Sequence, residues 1–257
     1  MLLGRRVIRR EEVTSTNDVA KALGKEGEPE GLVVVARRQS AGRGRQGRTW
    51  SSPLGGLYFS VLLRPRIKAD AVLRMTVLSC VPVAMAIEEV TGIRPELKWP
   101  NDVLVQGKKI GGILVEGVSR GKELDFVVLG VGLNLNSSDE ALDAPEATTL
   151  SAVLGKEIGE EELLTSLLRH LEAFYIRLKA DEVDEDEYKA RSCVLGNWVE
   201  ARIGNQTLRG KALYLDHDGA LVLRSDENLI FRLAWVNETS IKITKEGENE
   251  GKPLRKT

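Results

Sequence analysis

Three short, almost uninterrupted apolar runs constrain this chain most: "GLVVVARRQ" (31–39), "GGLYFSVLLRP" (55–65) and "ELDFVVLGVGLNLN" (123–136). Each is strand-length and bounded by turn residues, so each predicts a buried strand. "RRVIRREEV" (5–13) predicts another. Between it and the first run, "STNDVAKALGKEG" (15–27) predicts a short helix, with Ser15 or Thr16 placed to cap it and Gly24 or Gly27 to end it. Apolar residues Leu73, Val77, Cys80, Val81, Ala84 and Ile87 keep helical spacing across 70–91, where Pro82 predicts a kink or a division. "KWPNDVLVQGKKIGGILVEGV" (98–118) predicts two strands joined at Gln106–Gly107.

Residues 137–149 are polar and predict a loop. "EELLTSLLRHLEAFYIRL" (161–178) predicts an amphipathic helix, and an acidic helix follows to about Cys193. From Leu195 to Thr244 the pattern changes to short strand-like runs ("WVEARIG", "TLRGKALYLD", "ALVLRS", "LIFRLAW", "SIKIT") broken by turns such as "DHDG". The expectation is an α/β main domain over 1–193, a small β-barrel over 194–245, and a charged, apolar-poor tail over 246–257 that stays disordered.

Several classes are disfavoured. No apolar run approaches the roughly 20 residues of a membrane span, and "MLLGRRVIRREEV" lacks a signal-peptide pattern, so a cytoplasmic location is expected. Cys80, Cys193, His170 and His217 are isolated, which argues against a zinc-type cluster; Cys80, inside "VLSCVPVAMAI", is expected as a buried thiol.

Four stretches carry the chemistry. In "ARRQSAGRGRQGRTWSSPLGG" (36–56), five arginines (Arg37, Arg38, Arg43, Arg45, Arg48) crowd a chain whose net charge is only −1, which favours a focused anion site over a broad nucleic-acid track. Glycines permit close backbone approach and positive φ, and guanidinium forks suit carboxylate and phosphate. A plain basic surface loop, with Trp50 as its core anchor, is the competing reading. The order GxxxxGK[ST] is missing, so this is not the phosphate loop of nucleotide hydrolases.

In the second stretch, Lys109, Gly111 and Ile113 fall on one strand face under two-residue alternation, Gly111 leaving room beside the ammonium. Pro100 presents Asn101 and Asp102, which are suited to phosphate oxygens and a hydrated Mg²⁺; an N-D turn capping a hairpin is the alternative. In "GVGLNLN" (130–136), Gly130, Gly132, Asn134 and Asn136 share a face and suggest a shallow slot ending in an amide, or else a close-packed sheet–helix contact. "STND" (15–18) reads as a helix N-cap that can also border an anion site.

Taken in order, "STN", "QSAGRGRQGRTWSSPLGGLYFS", "LKWPNDVLVQGKKIGGILVE" and "GVGLNLN" strongly resemble the biotin protein ligases, the biotin–[acetyl-CoA-carboxylase] ligases, from about residue 10 to 136. The resemblance implies a mixed sheet flanked by helices, of the class II aminoacyl-tRNA synthetase and biotin ligase type, with an SH3-like C-terminal barrel. It implies that biotin and ATP, with Mg²⁺, form biotinyl-5′-AMP, and that a lysine of a biotin carboxyl carrier protein or domain then takes the biotin.

The same resemblance places Ser15, Thr16, Asn17, Gln39, Gly42, Arg43, Gly44, Arg45, Lys109, Gly111 and Gly112 at biotin. It places Arg45, Arg48, Trp50, Asn101, Asp102, Lys109 and Asn134 at ATP, and makes Arg43, Arg45, Lys109 and Asp102 the catalytic candidates, with Asp102 a partner for the metal. Because the pattern begins within about fifteen residues of Met1, no DNA-binding domain and no repressor role are expected. A homodimer and no membrane or DNA partner are expected by kinship. Lipoate or octanoate transfer, and RNA binding through the loop and barrel, are the rival readings.

Overall fold

The structure is a computed structural model of the 257-residue chain, and it describes residues 1–65, 71–120, 123–138, 141–142, 144–203, 206–234 and 239–244. The expected disordered tail, 246–257, and Trp235 at the end of "LIFRLAW" lie outside the described residues. The chain divides into two compact units between Ser192 and Cys193.

The first unit runs β1 (Arg6–Val13), α1 (Thr16–Lys25), β2 (Leu32–Gln39), β3 (Leu57–Leu63), α2 (Ala71–Leu78), α3 (Cys80–Thr91), β4 (Glu96–Lys98), β5 (Asp102–Val105), β6 (Lys108–Arg120), β7 (Glu123–Leu133), α4 (Leu150–Leu154), α5 (Glu160–Lys179) and α6 (Asp186–Arg191). Its sheet has the order β1-β2-β3-β7-β6-β5-β4; β1 and β2 are parallel and the remaining pairs antiparallel. The apolar runs are continuous because both faces are covered. Leu32, Val34, Leu62, Phe126 and Val128 pack with Ala20 of α1 on one face. Val61, Leu63 and Leu129 meet Leu171, Phe174 and Tyr175 of α5 on the other.

Local chemistry accounts for the boundaries. Gln106 (φ 52°) and Gly107 (φ 74°) make the β5–β6 turn with two left-handed residues, as a tight hairpin requires. The helix break falls at Ser79, before Pro82, which is the third residue of α3. Proline has no N–H for the carbonyl four residues back, so the ladder is interrupted one turn upstream.

Together α2 and α3 span Ala71–Thr91, 21 residues that include an 18-residue window of mean hydropathy 1.6, long and apolar enough by length and composition to cross a membrane. Arg74, Glu88 and Glu89 interrupt it, so it is not an unbroken apolar run of that length. The window is 67% buried within the fold, packing on β6 and α5 as a core helix pair. Within it Cys80 is a buried thiol, and burial pushes its pKa up. The expected acidic helix shrinks to α6, six residues long, and β4 and α4 were not foreseen.

The second unit holds β8 (Trp198–Ile203), β9 (Gln206–Leu215), β10 (Leu221–Arg224), β11 (Ile230–Leu233) and β12 (Thr239–Thr244), paired antiparallel in the order β11-β10-β9-β8-β12. Among the described residues these strands form a five-stranded antiparallel ladder, the C-terminal β-sheet domain that the change of pattern after Leu195 predicts. Asp216, His217 and Asp218 lie close enough to share a cation, but both carboxylates are ion-paired to Arg232.

Candidate active site

The Gly-Arg loop leaves β2 and doubles back as a small arch. Trp50 N–H donates to the Gly42 carbonyl at 2.9 Å, Gly44 N–H donates to the Arg48 carbonyl at 2.7 Å, and Arg43 bridges to Thr49. At the tip, Arg45–Gly47 form a single 3₁₀ turn in which Gln46 and Gly47 adopt positive φ (59° and 73°). Beyond the arch, Tyr58 Oη donates to the Pro53 carbonyl at 2.9 Å and fixes the return to β3.

Both legs of the arch are tied to the start of α1. Ser15 is the N-cap, yet its side chain makes no capping bond; Gln39 Oε1 instead accepts from Thr16 N–H (2.8 Å) and Thr16 Oγ1 (3.2 Å). Gln39 Nε2 donates onward to Ser52 Oγ at 2.8 Å, on the returning leg. Buried Ser60 Oγ stands 2.7 Å from Thr16 Oγ1 and 2.6 Å from Asn17 Oδ1. On the outgoing leg, Arg43 Nη2 meets Asp18 Oδ1 at 2.5 Å and Glu116 Oε2 at 3.3 Å.

The floor is made by glycines of β6 and β7. A Cβ on Gly130 would overlap the Asn17 amide, and one on Gly132 would stand 2.6 Å from Trp50 Nε1. These contacts match the close-packed sheet–helix alternative rather than an open slot, with α1 and Trp50 seated against the glycines. Trp50 Nε1 is buried and makes no hydrogen bond among the described residues.

Beside the indole lies the charged centre. Lys109 Nζ is 5.2 Å from the Trp50 ring centroid and 2.5 Å from Asp102 Oδ1. Arg45 is 9% exposed; burial pushes its pKa below the ordinary arginine value, Asp102 raises it and Arg48 lowers it further. The buried Arg45 guanidinium, the Lys109 ammonium and the Asp102 carboxylate lie together here, where partial burial strengthens electrostatic interactions.

Several sequence expectations need correction. Lys109 does not share a face with Gly111, because a bulge shifts the β5–β6 register: Val103 opposes Gly111 and Leu104 opposes Lys109. One extra residue reverses the alternation. A Cβ on Gly112 would contact Lys109 Cε at 3.6 Å and Trp50 Cζ3 at 3.4 Å, whereas one on Gly111 would strike Leu133 in the core. Asn101 Nδ2 donates to the Ile113 carbonyl at 2.8 Å and braces β6. Asn134 is buried, and its Nδ2 donates to the Thr148 carbonyl at 3.2 Å. Arg43 is engaged by Asp18 and Glu116, and Asp102 by Lys109.

Ser15, Thr16, Asn17, Gln39, Gly42, Gly44, Arg45, Trp50, Lys109 and Gly112 gather around this arch and its floor, while Arg48 is exposed at the tip. Four contributors lie within the motifs but are given no role of their own by the sequence: Asp18, Ser52, Ser60 and Glu116. Only the position of Asp18 in the first turn of α1, and of Glu116 two residues beyond Leu114 on the alternating face, carried any local signal.

Comparisons with known proteins agree with this geometry. The model of the biotin/lipoate A/B protein ligase family matches residues 8–134. The bifunctional ligase/repressor BirA of Bacillus subtilis is 34% identical over 236 residues, spanning 89% of this chain and 72% of that protein. The biotin–[acetyl-CoA-carboxylase] ligase of Paracoccus denitrificans is 33% identical over 203 residues, 74% of this chain and 83% of the relative. The solved biotin protein ligase from Aquifex aeolicus in complex with biotin and ATP superimposes with a TM-score of 0.77 at 32% identity, covering 93% of this chain and all of that one.

Proposed function

The chain belongs to the biotin/lipoate A/B protein ligase family, and from that premise we propose that it is a biotin–[biotin carboxyl carrier protein] ligase. The observation that carries the reading is the cationic centre of Lys109 and buried Arg45 beside Trp50, directly next to the Thr16–Asn17–Gln39 hydrogen-bonding network. An amide-rich recess beside a cationic centre suits a ligand with a neutral polar ring at one end and a carboxylate at the other.

In the first step the biotin carboxylate attacks the α-phosphorus of ATP. The new O–P bond forms as the bond to pyrophosphate breaks, giving biotinyl-5′-AMP. Two anions must approach, so cations fixed in advance lower the barrier without reorganising. Lys109 and Arg45 supply them. Asn17, Thr16 and Gln39 hold the ring, and Trp50, its N–H turned toward the Gly132 floor, presents its ring to the nucleotide. The arch covers the reacting atoms and keeps water from the anhydride.

ATP enters as its magnesium complex, the ion neutralising phosphate charge. Asp102, one of whose oxygens is on Lys109, is the carboxylate that would hold the ion beside the phosphates. In the second step a lysine of a biotin carrier domain attacks the acyl carbon and AMP departs, the amine's proton passing to Asp102. The repressor half of the B. subtilis relative's name stays with that protein.

The test is to incubate the protein with labelled ATP and Mg²⁺ and with biotin or lipoate, then to add a biotin carrier domain. Pyrophosphate release that requires biotin, followed by AMP release on adding the carrier, is the expected result. Release with lipoate alone, or steeply salt-dependent RNA binding without release, would overturn the reading.

A further inference from the structure

Glu116 is the meeting point of three elements. It lies on β6 opposite Val128, with a side chain only 25% exposed. Its Oε1 is 2.5 Å from Lys21 Nζ of α1. Its Oε2 accepts from Asn17 Nδ2 at 2.6 Å and lies 3.3 Å from Arg43 Nη2 of the arch. Arg43 is held at 2.5 Å by Asp18 on its other side.

The cluster pairs Lys21 and Arg43 with Asp18 and Glu116, so Arg43 is spanned by two carboxylates and its position is fixed by them. The returning leg of the arch is tied to α1 through Ser52 and Gln39, and the outgoing leg through Arg43. Asn17 has its Oδ1 fixed by Ser60, and its Nδ2 by Glu116 and, at 3.4 Å, by the Leu114 carbonyl. Exposed ion pairs hold little, but partly buried, charge-assisted bonds sharing one carboxylate are stronger and act as a unit.

We propose that Glu116 is a positioning residue: its carboxylate orients the Asn17 amide in the ligand recess and, through Arg43, latches the Gly-Arg arch onto α1 and β6. The recess is taken as the biotin site, so this part rests on the function proposed above, while the latch itself does not.

The test uses the full chain with Glu116→Gln, which keeps the shape and the Asn17 acceptor but removes the charge. Initial rates of tryptic cleavage after Arg43, Arg45 and Arg48 are followed by mass spectrometry without ligand. Cleavage is expected to rise about tenfold, the scale of one charge-assisted bond. In biotin-dependent pyrophosphate release, KM for biotin is expected to rise while kcat changes far less, and Glu116→Asp restores part of both effects.

Wild-type cleavage rates in a folded Glu116→Gln protein would overturn the latch. If that variant does not fold, Arg43→Gln, which leaves Lys21, Asn17 and Glu116 together, must still speed cleavage after Arg45 and Arg48; unchanged rates there overturn it equally. A wild-type protein that releases no pyrophosphate with biotin rejects the proposed substrate, while ligand-free cleavage still decides the latch.

Discussion

Lys109 Nζ and Asp102 Oδ1 stand 2.5 Å apart at the end of the β5–β6 hairpin, and the β-bulge in that hairpin brings the ammonium under Trp50. With regular alternation the lysine would sit on the opposite face. Lys109→Ala and Arg45→Ala are expected to lower biotin-dependent pyrophosphate release about 100-fold or more, the usual cost of removing one preorganised donor. Their thermal melts should remain cooperative. Near-normal release from either folded variant would remove that residue from the first step.

Asp102 has a second expected role. With preformed biotinyl-5′-AMP and a carrier domain, Asp102→Asn is expected to slow aminolysis about 100-fold, in the range of general-base catalysis. Single-turnover transfer at the wild-type rate would assign the proton elsewhere.

The floor glycines should rank in a set order. A Cβ on Gly132 would press on Trp50 Nε1 at 2.6 Å, whereas one on Gly112 meets the same ring at 3.4 Å. Gly132→Ala should raise KM for ATP about tenfold, the scale of mild overpacking. Gly112→Ala should do distinctly less. Steady-state kinetics of the two variants side by side check the ranking, and a reversed order would mean that Trp50 does not meet the nucleotide.

Gly24 tests packing against helix propensity. Alanine is the better helix former by about 1 kcal/mol. A Cβ there would stand 2.7 Å from Phe126 Cε2 and 2.9 Å from Leu62 Cδ1, however. Overpacking of about 1–3 kcal/mol should win, so Gly24→Ala is expected to melt at a lower temperature than wild type. A higher melting temperature would show that α1 can shift on the sheet.

Glu89 of α3 joins α5 through His170, Ser166 and Arg169, and these partners, His170 foremost, hold its carboxyl at about 2, below the ordinary carboxyl value of 4.5. A depressed carboxyl stabilises above its unfolded pKa and loses that contribution as pH falls through the folded value. Glu89→Gln should therefore melt below wild type at neutral pH, with the gap closing between about 4.5 and 2. A gap that persists at pH 2 would assign the loss to shape rather than charge.

Much of the frame was legible in order. Valine-rich runs of strand length, the Gln106–Gly107 turn and the amphipathic period of α5 are local signals, and local signals survive into the fold. The residues of the arch were equally legible, since so many arginines between glycines serve few other purposes. Less visible were the short β4 and α4, which are too brief to show a period, and the break at Ser79, displaced one turn from the proline that causes it.

The site's inner logic was decided elsewhere. Sequence alone determined which side chains this protein has to offer: the cations of the arch, Lys109, the amides of "STN" and "GVGLNLN", and a strand pattern able to carry them. Tertiary structure decided which of them act together. Asn134 and Asn101 became braces, and Arg43 became a tether. Glu116 became a hub for residues 73 to 99 positions away. The physical reason is that ion pairs and close glycine contacts depend on register and sheet order, and a single bulge in β6 changes both without leaving a mark in composition or period.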